Sequence, residues 1–155
     1  MKRIFLSGLL LAMVGHPAVA YQEPIENLKA ISDPIQRATG KKIQPREGEN
    51  DLCYSNDNGQ FCFVRAGSID IDVWGRGIVK LAVSTKVAPS IYQRACAAAF
   101  EGLTGSDPDF AREIITEAFN HASVQGRFET EISQVQLKVV PAGDSDLLEC
   151  SFFRF

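Results

Sequence analysis

The chain has 155 residues, 45% of them hydrophobic, with 16 Lys and Arg against 19 Asp and Glu. That length holds one domain, and that composition holds a core and excludes a disordered tail. A net charge of −3 leaves nothing to neutralise a run of phosphates, so the balance argues against a nucleic-acid partner as well.

Residues 1–20 read as a cleavable export signal. Lys2 and Arg3 form a basic start and Ile4 to Val14 an apolar stretch. Ala18-Val19-Ala20 supplies the small residues that a signal peptidase accepts before Tyr21. The apolar stretch falls short of the roughly 18 residues of a transmembrane helix. The short basic start is bacterial in style, so the expected location of the mature chain, 21–155, is periplasmic or secreted. Losing Lys2 and Arg3 leaves 14 cations against 19 anions, a net of −5, and His121 as the sole histidine.

In 22–39, Ile25, Leu28, Ile31, Ile35 and Ala38 recur at helical spacings of three and four. Ser32-Asp33-Pro34 interrupts them. Proline is tolerated in the first turn of a helix and not inside one, so two short helices or a kink are expected. The polar run 40–51, with Lys41, Lys42 and Arg46, reads as a solvated loop.

Four cysteines follow: Cys53, Cys62, Cys96 and Cys150. An even number in an oxidising compartment implies two disulfides. A hairpin centred on Asp57-Asn58 places residue 53 opposite 62, and directly opposed strand residues come close enough for a bridge. An Asn58-Gly59 turn would instead put Cys53 opposite Val64. The expected pairs are therefore Cys53–Cys62 and, by elimination, Cys96–Cys150. No C-x-x-C motif points to redox chemistry, and one histidine cannot complete an ordinary zinc site.

Residues 52–55 and 60–66 form the stapled hairpin. In 68–74 the alternation is strict, with Ile69, Ile71 and Val73 on one face. After the turn Gly75-Arg76-Gly77, a strand spans 78–84. Helices are expected over 89–103, with a stripe from Tyr92 to Leu103, and from Ser106-Asp107-Pro108 to Gly126. The chain closes with strands near 127–140 and 147–154. The first changes apolar frame between Ile132 and Val135, which predicts a β-bulge near Ser133-Gln134.

The expected fold is α+β: a single domain with an antiparallel sheet of five or six strands, two helices packed on one face, an N-terminal helical segment and two disulfides. With Ile69, Ile71, Val73 and Cys150 toward the helices, alternation turns Asp70, Asp72, Trp74, Phe153 and Phe155 to the other face. Covering of that face by the N-terminal helix is the plainer expectation, since exposed apolar patches of that size are uncommon in monomers. The sharper one is a binding surface for an envelope protein, a peptide or a glycan.

Asp70 and Asp72 lie about 7 Å apart at Cα on one side of a strand. Such a pair can bind a cation or act as acid and base, but D-x-D alone is a weak signal and a solvated strand face is the plainer explanation. His121, late in a helix, suits a capping role near the negative end of the dipole. No nucleophile elbow, phosphate loop, cofactor motif or metal motif is present. The function these residues favour is a small exported binding or inhibitor-type protein without catalytic activity. The alternatives are a small periplasmic hydrolase using Asp70, Asp72 or His121, and an accessory subunit of a cell-envelope assembly.

Overall fold

A computed structural model describes residues 24–49, 51–57, 59–83, 87–142 and 147–155, the side chains of Arg76 and Val83 excepted. The export signal and its cleavage point lie outside the described residues.

Among the described residues, three helices and eight strands make a two-layer α+β domain. The helices are α1 (Pro24–Thr39), α2 (Pro89–Thr104) and α3 (Pro108–Gln125). The strands are β1 (Ile43–Pro45), β2 (Cys53–Asn56), β3 (Gly59–Ala66), β4 (Ile69–Trp74), β5 (Ile78–Val83), β6 (Phe128–Ile132), β7 (Val135–Pro141) and β8 (Leu148–Arg154). All pairs are antiparallel, in the order β1-β3-β4-β5-β8-β7-β6, and β2 shares with β1 the outer edge of β3.

Two strands more than expected have distinct origins. Residues 43–45, read as loop, pair with Val64–Ala66 as β1. The predicted strand 127–140 is a hairpin. Ser133 and Gln134 both take positive φ, 52° and 64°, the signature of a two-residue type I′ turn. Ile132 then faces Val135 across the turn, and both point to one side. The frame change in the sequence therefore marks a tight turn, not the expected bulge.

Of the two forms expected for α1, the pair of short helices is not found. The helix is continuous, with Pro34 inside it. Proline has no N–H to offer the carbonyl of Ala30, four residues earlier. The neighbouring helix α2 comes close at that point. A Cβ on Gly102 would lie 2.3 Å from the Ala30 oxygen, so only the glycine hydrogen fits there.

All three helices pack on the same face of the sheet, α1 over β3 and β4, α3 over β6, β7 and β8. The core between the layers is one cluster. It takes Val64, Ile71, Val79, Leu137 and Phe152 from the sheet, Ile31 and Ile35 from α1, Phe100 from α2 and Ile115 from α3. The bridge Cys96–Cys150 ties α2 to β8 inside it, with both sulfurs buried. The bridge Cys53–Cys62 joins directly opposed residues of β2 and β3, in the register expected from the Asp57-Asn58 turn.

One turn before Cys96, the buried Tyr92 reaches into the sheet. Its hydroxyl donates to the Leu81 carbonyl at 2.6 Å and accepts from the Cys150 N–H at 3.1 Å. Leu81 and Cys150 are opposed residues of β5 and β8. The phenol oxygen thus links the two strands at that position. Burial pushes its pKa well above the ordinary value, outweighing the Cys150 N–H bond that lowers it.

Candidate functional site

Because α1 lies with α2 and α3, it does not cover the opposite face of the sheet. The expectation of an N-terminal lid is overturned, and the reason is local. The face of α1 bearing Leu28, Ile31 and Ile35 packs against α2 and the same side of β3 and β4. No described helix occupies the other side.

Alternation fixes what that open face carries. Cross-strand partners run Tyr54–Phe61, Phe61–Trp74, Trp74–Ile78, Ile78–Phe153 and Phe153–Gln136. Tyr54, Phe61, Trp74, Ile78 and Phe153 therefore form one apolar row over β2, β3, β4, β5 and β8, about 19 Å long at the usual strand spacing. Rings touch along its first half: Tyr54 to Phe61 at 6.0 Å, Phe61 to Phe63 at 5.2 Å, and Phe63 edge-on to Trp74 at 5.5 Å. Trp74 is 45% exposed. Phe155 lies one residue past the end of β8, 59% exposed, with its N–H donating to the Gln134 carbonyl.

The next rows are charged and internally paired. Arg46, just after β1, lies over the Phe63 ring at 5.4 Å. Its guanidinium donates to Asp72 and stands 3.7 Å from Asp70. Arg65 is 3.3 Å from Asp70, and Lys80 is 3.0 Å from Glu149. At the row's outer end the Tyr54 hydroxyl donates to Glu49. Desolvation first, and that carboxylate second, hold the phenol above its ordinary pKa, so it remains a donor.

The residues singled out from the sequence are thus partly brought together. Trp74 and Phe153 share the row, about 10 Å apart with Ile78 between them. Asp70 and Asp72 face the same side but are engaged by Arg46 and Arg65. His121 belongs to the helical layer. Its Nδ1 is 3.2 Å from the Arg127 carbonyl and its ring is edge-on to Phe128 at 5.4 Å. It joins the end of α3 to the start of β6 and is separated from Asp70 and Asp72 by the sheet. Among the described residues, no three His, Cys, Asp or Glu side chains converge as a metal cage.

Sequence reasoning missed Tyr54, Phe61, Phe63, Ile78, Arg46 and Arg65. The signal for most of them was arithmetic. A two-residue Gly67-Ser68 turn pairs residue 66 with 69 and therefore 61 with 74, as observed. Comparison of the chain with protein-family models, curated proteins and solved structures returned no match.

Proposed function

We propose that this is a non-catalytic, exported binding or inhibitor-type module that holds a protein of the cell envelope against its open sheet face. The observation that carries the reading is the row Tyr54–Phe61–Trp74–Ile78–Phe153, on a face with no described helix over it. An apolar centre bordered by paired charges matches the anatomy of protein interfaces. Arg46, Arg65 and Lys80 are ion-paired with Asp70, Asp72 and Glu149, which leaves these charges little to offer a charged ligand or a glycan. The same pairing supports recognition over proton transfer. Two disulfides suit an oxidising compartment. No helix of the described residues is long and apolar enough to cross a membrane.

Trp74 is the only tryptophan, which makes the test direct. The exported protein is used to capture partners from envelope extract, and the captured partner is titrated against wild type and Trp74→Ala. Truncation of a central anchor weakens binding on the order of 30-fold, while the melting temperature stays within a few degrees. Trp74 fluorescence is that of a solvated indole in the free protein and shifts to the blue in the complex. Undiminished binding by Trp74→Ala overturns the reading. So does blue-shifted emission in the free protein together with a large fall in melting temperature.

A further inference from the structure

The helical layer carries a second feature, independent of the open sheet face. Where α1, α2 and α3 meet, a cleft of about 210 Å³ opens to solvent. Its floor is the small, buried pair Ala97 and Ala98, and Pro34 and Pro108 stand among its walls. Three arginines from three different helices line it: Arg37, Arg94 and Arg112. The single carboxylate in the lining, Glu101, is bound to Arg37 at 2.7 Å. Arg112 also reaches Asp109 on its own helix. Arg94 is exposed and has no ion-pair partner among the described residues.

Two of the three positive charges are matched, Arg37 by Glu101 and Arg112 by Asp109, and Arg94 adds one unmatched charge to the cleft, in a chain whose net charge is −3. Guanidinium groups lining one cleft favour an anion between them. Their planar forks match the oxygens of a carboxylate or phosphate in a bidentate way that lysine cannot reproduce. The volume is below the roughly 300–1,000 Å³ of pockets for drug-sized ligands, so the occupant is small. The alanine floor and proline walls suit a short carbon skeleton.

We propose that this cleft binds a small doubly charged oxyanion, a phosphate monoester or a short dicarboxylate, gripped by Arg94 and Arg112, with the Arg37–Glu101 pair fixing one wall. The test follows the arginine Nε–H resonances of the exported protein by NMR at low salt during addition of glycerol phosphate, succinate or acetate. At least one dianion shifts the Arg94 and Arg112 signals saturably, with a dissociation constant of about 1 mM or tighter. Acetate at equal ionic strength does not. Saturation by glycerol phosphate alone assigns a phosphate ligand, and by succinate alone a dicarboxylate. The double variant Arg94→Ala, Arg112→Ala keeps its melting temperature and loses at least about tenfold in affinity, and Arg94→Lys loses several-fold despite its retained charge. The proposal is overturned if neither dianion produces a saturable shift, if acetate matches them, or if the double variant binds as wild type does. Trp74→Ala leaves this titration unchanged, so the two surfaces are tested separately.

Discussion

At the scale of single residues, Tyr92 concentrates several forces in one hydroxyl. Its ring is buried, and its oxygen joins Leu81 of β5 to Cys150 of β8. Replacing it by phenylalanine keeps the ring and leaves a buried carbonyl and a buried N–H unpaired, at a cost of about 1–3 kcal/mol in denaturant unfolding. The pH dependence follows from the raised pKa. An unfolded tyrosine ionises near pH 10, whereas in the fold ionisation is deferred to higher pH. Stability is therefore intact below pH 10 and falls above it, by up to about 1.4 kcal/mol per pH unit from this group. Unfolding midpoints of wild type and Tyr92→Phe between pH 9 and 11 check this. The wild-type curve falls more steeply, and equal slopes contradict the account.

Among the elements, the β6–β7 hairpin is the place where local sequence and local geometry disagree. Ser133 and Gln134 occupy positive-φ positions that favour asparagine and glycine. The paired change Ser133→Asn, Gln134→Gly relieves that conflict without touching a buried group. It raises stability by about 0.5–2 kcal/mol, measured by thermal or chemical unfolding. The same turn explains why the sequence reads ambiguously there. Apolar alternation defines faces, but a bulge and a two-residue turn change the frame by the same step, and without a glycine the turn leaves no compositional mark. In contrast, β3, β4, α2 and α3 were legible because each has a clean period bounded by Gly67, Gly75, Gly105 or Gly126, or by the Asp107 cap. The continuity of α1 was hidden for another reason. Pro34 is tolerated because Gly102 of α2 lets the two helices meet at the freed carbonyl, a tertiary fact with no local trace.

For the whole molecule, the disulfides divide unequally. Cys53–Cys62 closes a separation of nine residues and Cys96–Cys150 one of 54. In the chain-entropy model the longer loop gives the larger effect, by about 1.6 kcal/mol. Alanine replacement of the second pair is therefore the more damaging, with a loss of about 2–5 kcal/mol in unfolding experiments. Of the candidate surface, Trp74 and Phe153 were legible from alternation alone. Arg46 was not, because β1 has only three residues and its membership of the sheet depends on pairing with β3. Which side α1 takes was equally hidden, since an amphipathic helix specifies that it covers something without specifying what.

The strand order has a consequence for how the domain assembles. The strand β8, latest of the eight in the chain, lies between β5 and β7. Everything from β1 to β5 is one block of near-neighbour hairpins, β6 and β7 are another, and only β8 joins them edge to edge. Pairing β5 with β8 spans roughly seventy positions, as with Leu81 and Cys150, so it is the slow, non-local step. Until then both blocks expose ladder edges, and Phe153 has no place beside Ile78. The apolar row is thus complete only after topological closure, and half-assembled chains carry two sticky margins in place of one continuous face.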